Sequence, residues 1–66
     1  MELRQLRYLV AIADAGNLGR AAESLFVSQP ALSYALRRLE SELGVRLFDR
    51  HAGGVTATAA GADVVA

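Results

Sequence analysis

The sequence contains no cysteine, one proline and one histidine, and aromatic side chains make up only 6% of its positions. Without cysteine there is neither a disulfide framework nor a thiolate metal site, which fits a reducing compartment. An excess of charge of either sign is also missing, since seven basic side chains face seven acidic ones. The chain as a whole is therefore not drawn toward phosphate, and any contact with nucleic acid has to follow from where the charges sit. Long hydrophobic runs are absent as well. The longest, Tyr8 to Ala13, is far too short to span a membrane, and the Met1-Glu2-Leu3-Arg4 start does not read as a signal peptide, so a cytoplasmic location is expected. Catalytic constellations are lacking: there is no nucleophile with a base, no cluster of metal ligands and no glycine-rich phosphate loop, so no enzyme, cofactor or metal is expected. Glu40 and Glu42, two apart on a helix, do not face each other as an acid/base pair. His51, alone in a glycine turn, reads as a solvated side chain.

What is present describes one small domain of 66 residues, 53% hydrophobic and 21% charged. A chain of this size buries only roughly 60% of the surface its unfolded form exposes, so its core is thin and a cavity enclosing a substrate is not expected. Leu3, Leu6, Leu9, Val10 and Ala13 recur at helical spacing before Gly16, which predicts a first helix over about residues 3 to 15 with Arg4, Arg7 and Asp14 on its other face. Asn17 is a good N-cap for a second helix whose inward stripe is Leu18, Ala21, Ala22 and Leu25, the alanines allowing a neighbouring helix to pass close by. Two helical patterns then meet at Val27-Ser28-Gln29-Pro30 with almost nothing between them.

Ser28 can cap the third helix, and Pro30 lies in its first turn, where a missing N–H costs nothing. At about 100° per residue, Leu32, Leu36, Leu39 and Leu43 form one narrow stripe, read as core rather than zipper, while Pro30, Ser33, Tyr34, Arg37, Arg38 and Ser41 fall opposite. Gly44 ends the helix. Val45 to Arg50 reads as a strand, His51-Ala52-Gly53-Gly54 as a turn and Val55-Thr56-Ala57 as the returning strand of a small hairpin. Thr58 caps a fourth helical segment, Ala59 to Ala66, which Gly61 weakens. Its short run suggests a piece of something longer.

This order of elements is that of a winged helix-turn-helix, a mainly α fold with a three-helix core, a small hairpin wing and the start of a linker helix. The expected division is residues 1 to 57 for the winged domain and 58 to 66 for the linker. In such a fold the third helix presents its outer face to the DNA major groove. Gln29, Ser33, Tyr34 and Arg37 are hydrogen-bonding types able to read base edges, and Arg38 can reach the backbone. No acidic residue interrupts the stretch between Glu23 and Glu40. The free amides at the helix starts near Leu18 and Gln29 are candidate phosphate anchors. Without this context Arg37 and Arg38 would read as an ordinary solvated face. A protein-interaction module built on the same fold would want an apolar outer face on the third helix, and the face at 33, 34, 37 and 41 is polar.

Ala21-Ala22, Leu25, Val27-Ser28-Gln29-Pro30-Ala31-Leu32-Ser33, Leu39-Glu40, Leu43-Gly44, Leu47-Phe48, Arg50 and Thr58-Ala59-Ala60-Gly61 together resemble the N-terminal DNA-binding domain of LysR-type transcriptional regulators over nearly the whole chain. The resemblance implies a bacterial regulator that binds a partly palindromic double-stranded operator as a dimer paired through a linker helix. It also implies a separate effector-sensing domain outside this sequence. Base contacts would come from Gln29, Pro30, Ser33, Tyr34 and Arg37. Backbone or minor-groove contacts would come from Leu18, Ser28, Arg38, Arg50 and His51. The fragment by itself is expected to be a monomer or a weak dimer, with no membrane or small-molecule partner in this domain.

Several positions depart from the pattern of that family. Tyr34 stands where arginine is frequent, Gly19 where threonine or serine is common, Gly53 where the wing tip commonly carries arginine, and Ala57 where leucine would pin the hairpin to the core. Each loss weakens phosphate contact, so a shallow salt dependence is expected. The slope of log affinity against log salt is about −0.9 per phosphate neutralised. Titration of a bound duplex across salt concentrations is expected to give a slope clearly below that of strongly basic regulators, and an equally steep slope would refute this reading.

Overall fold

A computed structural model of the chain describes residues 2 to 65. The elements in order are α1 (Leu3–Ala15), α2 (Leu18–Leu25), α3 (Gln29–Leu43), β1 (Phe48–His51), β2 (Gly54–Ala57) and α4 (Ala59–Val65). Local signals set most of these boundaries. Gly16 closes α1 in the left-handed region at φ 67°, with its N–H donating to the Ile12 carbonyl at 2.9 Å. The Asn17 side chain then accepts from the Arg20 amide at 3.0 Å to open α2. Ser28 does the same for α3, accepting from the Ala31 amide at 3.2 Å, and Gly44 ends that helix at φ 72°.

The break between α2 and α3 takes three residues. Phe26 adopts a left-handed conformation, φ 59° and ψ 39°, so the chain leaves the α2 axis, and Ser28 is extended at ψ 153° before α3 begins. A side chain with a Cβ is strained there, and this is the sole non-glycine residue with positive φ among the described residues. The Val27 amide donates to the Ala22 carbonyl at 3.1 Å and keeps the turn tight. Nothing in the structure explains why the residue at this turn is an aromatic that stands 95% exposed.

The core consists of Leu9, Ile12, Leu18, Ala21, Ala22, Leu32, Leu36, Leu39, Leu47, Phe48 and Val55. Two expectations fail here. On α1 the inward stripe centres on Leu9 and Ile12, with Tyr8, Ala11 and Ala15 packed beside them, whereas Leu3 and Val10 are exposed and so is Ala13. The helix is apolar around more than half of its circumference, so periodicity alone permitted two arcs. Contact with α2, α3, β2 and α4 selected one. Leu43 is 46% exposed, because the last turn of α3 runs past the body it packs on.

The hairpin is shorter than the sequence suggested on its first strand and longer by one residue on its second. Strands β1 and β2 are antiparallel, with Phe48 opposite Ala57, Asp49 opposite Thr56, Arg50 opposite Val55 and His51 opposite Gly54. Residues 45 to 47 are loop. Ala57 is exposed, as a residue unable to pin the hairpin would be, but Leu47, Phe48 and Val55 supply the anchoring instead. The wing also docks on the α1–α2 turn, where the Val55 amide donates to the Gly16 carbonyl at 3.0 Å. At Gly54, φ is 129° and a Cβ would overlap that same carbonyl oxygen, so this strand start requires glycine.

Thr58 caps α4 as expected, its Oγ1 accepting from the Gly61 amide at 3.1 Å and donating to the Arg46 carbonyl at 2.6 Å. The expected last residue, Ala66, lies outside the described residues. Gly61 is buried and closely packed on the backbone of Leu47: a Cβ there would overlap the carbonyl oxygen and lie 2.9 Å from the carbonyl carbon. Helix propensity alone would make Gly61→Ala stabilising by roughly 1 kcal/mol. The backbone overlap outweighs this, and the variant is expected to lose about 1–3 kcal/mol net. Thermal unfolding followed by circular dichroism should show a fall of about 4–8 °C per kcal/mol, and a variant melting above the parent would refute the packing account.

Candidate nucleic-acid interface

The outer side of α3 is open. Pro30, Tyr34, Arg37, Arg38 and Ser41 are exposed and Ser33 is half-buried, with Tyr34 at 58% exposure. The stripe Leu32, Leu36 and Leu39 holds the opposite side in the core, so the sequence periodicity fixes which residues face outward. Among the described residues no element covers Tyr34 or Arg37.

The expected site residues fall into two groups on either side of this face. Toward the wing, a shallow cleft of about 330 Å³ is lined in part by Leu18, Gly19, Gln29, Arg50 and His51, where the starts of α2 and α3 meet the hairpin. The Leu18 side chain is 8% exposed and belongs to the core, so only its amide is a possible anchor. First-turn amides have no acceptor within their own helix, and those of Leu18 and Gly19 open the α2 side of this cleft. Gly19 lies beside Gln29: a Cβ at position 19 would stand 3.4 Å from Gln29 Oε1 and 3.1 Å from Asn17 Oδ1. Toward α1, Tyr34 and Arg38 border a second cleft of about 360 Å³ with Arg4, Tyr8 and Glu42. Arg37 stands between the two groups.

Four of the expected polar side chains, Ser28, Ser33, Arg50 and His51, are already engaged. Ser28 Oγ caps α3. Arg50 reaches from β1 to α3, where one of its terminal nitrogens donates to Ser33 Oγ at 2.8 Å. His51 Nδ1 accepts from the Gly53 amide at 3.2 Å, which stiffens the wing tip. Among the described residues the single ion pair is Arg46 with Asp49 at 3.7 Å, exposed on both sides, so Arg37, Arg38 and Arg50 have no ion-pair partner there. Arg20 and Glu23, three apart on α2, are not paired among the described residues.

The residue that sequence reasoning passed over is Glu40. Its carboxylate accepts from the Leu47 amide at 2.6 Å and from the Phe48 amide at 3.2 Å, tying the start of the wing to α3. A bond across seven and eight residues leaves no periodic signal. The hint available was an acidic side chain next to the apolar stripe, at a position too near the core for free solvation.

The face of a helix-turn-helix with a docked wing is thus the chemical centre of the molecule. Residues 3–62 match the family described as bacterial regulatory helix-turn-helix protein, lysR family, and the chain belongs to that family. Among curated relatives, the HTH-type transcriptional regulator TfdT of Cupriavidus pinatubonensis is 51% identical over 61 residues, covering 92% of this chain and 27% of TfdT. The chain spans less than half the length of the curated relatives it matches, 21% of ClcR from Pseudomonas putida and 43% of BudR from Klebsiella aerogenes among them. Among solved structures, a complex of the CbnR DBD with DNA superposes with a TM-score of 0.92 at 46% identity, covering 98% of this chain and 75% of that one. A complex of the BenM DBD with benA site 1 DNA gives 0.91 at 40%, covering 98% and 73%.

Loss of the Glu40 carboxylate leaves the Leu47 and Phe48 amides without their acceptor, at a cost of about 1–3 kcal/mol each. Glu40→Ala is expected to lower the unfolding temperature and to speed hydrogen exchange at Leu47 and Phe48 well beyond the change at core amides of α3. Glu40→Gln, which keeps an oxygen acceptor, should fall between. Uniform acceleration over the whole chain would argue against a local tether.

Proposed function

We propose that this chain is the sequence-reading domain of a LysR-type transcriptional regulator, inserting α3 into the major groove of double-stranded DNA with the wing against backbone or minor groove. The observation that carries this reading is the uncovered polar face of α3 with the Arg50 guanidinium at its edge. That two similar DBDs are described as DNA complexes supports it. On this reading Gln29, Pro30, Ser33, Tyr34 and Arg37 meet base edges. The amide of Leu18, together with Ser28, Arg38, Arg50 and His51, meets the sugar-phosphate backbone. Tyr34 reads through its ring edge and hydroxyl, suited to a thymine methyl or a single phosphate, where an arginine would address guanine. The winged unit comprises residues 1 to 57, and residues 58 to 66 begin a linker helix that pairs two subunits on a partly palindromic site in the longer protein. An effector-sensing domain belongs to that longer protein. The reading assigns no catalysis to the chain and places its action in the cytoplasm, where DNA is accessible.

Selection of bound duplexes from a random pool tests this directly. Enrichment of a consensus containing two related half-sites is the expected result, and it should be lost with Gln29→Ala or Arg37→Ala in chains whose unfolding is unchanged. Absence of any enrichment would refute sequence-specific binding and favour a protein-interaction module.

A further inference from the structure

The bond between Arg50 and Ser33 joins the wing to the reading helix at a place where both would touch DNA. We infer that these two residues act as one unit: Arg50 fixes the Ser33 hydroxyl as a donor toward a base while the rest of its guanidinium holds a phosphate at the groove edge. Arg50 is thereby a positioning and specificity residue for α3, and not only a wing contact. The inference rests on the DNA-binding reading given above.

Three observations carry it. First, Arg50 donates to Ser33 Oγ at 2.8 Å across 17 residues of sequence, so the side chain is held at the α3 surface. Second, a serine hydroxyl has one proton to donate and accepts through its oxygen. Once the oxygen accepts from a cation, its proton turns outward and the hydroxyl becomes a stronger donor. Third, that proton is uncommitted. Ser24 shows the usual mid-helix alternative, donating its hydroxyl to the Ala21 carbonyl at 2.8 Å. Ser33 makes no such bond to its own helix among the described residues.

The consequences are chemical. A Ser33 hydroxyl free to rotate could accept from cytosine N4 or adenine N6, or donate to guanine O6, a purine N7 or thymine O4, and would carry little sequence information. Held by Arg50, the hydroxyl has one of its two lone pairs occupied and is polarised as a donor, so it favours a base pair that presents an acceptor at that point of the groove. Arginine has five N–H donors in a planar fork, and one occupied by Ser33 leaves others free for a bidentate phosphate contact. Lysine lacks the fork and could not serve both partners at fixed geometry.

The test uses the chain and a duplex enriched from the random pool, with S33A, R50A, the double variant S33A/R50A, R50K and S33T. Each single alanine variant is expected to weaken binding by roughly tenfold, while S33A made in the R50A background costs less than about twofold, a coupling of at least about fivefold. S33T, which keeps a hydroxyl, should restore most of the loss. R50K should retain the salt slope yet show the same loss of coupling. A merely structural role would not alter which base is preferred, so selection is repeated with each variant: R50A is expected to relax preference at the same base position as S33A. If duplex binding is undetectable, the DNA-binding reading fails and this inference with it. If a duplex is bound but the losses add, or R50A leaves the base preference unchanged, the inference alone is overturned.

Discussion

The carboxylate of Glu40 is the constraint on which the arrangement of this small domain depends. Leu47 and Phe48 are buried, so the backbone that carries them is drawn inward and its amides leave water. Buried amides without an acceptor would cost about 1–3 kcal/mol each, a large share of the stability of a chain this short. Glu40 accepts from both. Because Glu40 lies on α3, the wing is referenced to that helix itself. From there the connection continues: the Thr58 amide donates to the Leu47 carbonyl at 2.9 Å, Thr58 Oγ1 donates to the Arg46 carbonyl, and Gly61 rests on the Leu47 backbone. Three residues, Arg46 to Phe48, therefore relay the orientation of α3 to α4.

This relay gives a physical reason for several small residues near it. Gly54 and Gly61 both sit where a Cβ would strike a carbonyl oxygen, of Gly16 and Leu47 respectively. A thin core offers little slack for such overlap, since interiors of this density do not yield without displacing backbone. Gly61, which lowers helix propensity when read in one dimension, allows in three dimensions the approach that packs α4 against the wing. Local preference and packing disagree at this position, and packing wins because a propensity difference of roughly 1 kcal/mol is smaller than a backbone collision.

What the sequence disclosed and what it hid divide along the range of the interactions. Gly16, Asn17, Ser28 and Gly44 act on backbone within about one helical turn, so the limits of the first three helices were legible and agree with the structure to within a residue. The leucine stripe of α3 was legible through Leu39 and misleading at Leu43, where the helix outruns its support. The arc of α1 was ambiguous because apolar residues cover too much of it. Glu40, the collision at Gly61 and the bond from Arg50 to Ser33 depend on residues 7 to 17 positions away, or on the path of another backbone. No periodicity encodes them. For the candidate interface, the identity of the outward face of α3 was readable, whereas the wiring between its parts was not.

A zero net charge gives no long-range pull toward a polyanion, and its conflict with the proposed binding is one of distance. At physiological salt the Debye length is about 8 Å, so charges on the far side of a body this size are screened from a contact surface. Arg37, Arg38 and Arg50 stand on the proposed contact side without ion-pair partners among the described residues, while the Arg46 and Asp49 pair neutralises itself. Net charge then governs long-range attraction and contact charge governs the bound state. Few phosphate contacts also mean weak binding to arbitrary DNA, because that term is almost wholly electrostatic. On the proposed reading, the base contacts of α3 then make up a larger share of the total, raising discrimination at the expense of affinity. A second copy on an adjoining half-site restores affinity through effective concentration without adding sequence-independent charge. On the proposed reading, a neutral winged domain and a helix that pairs subunits are complementary parts of one solution to selective binding.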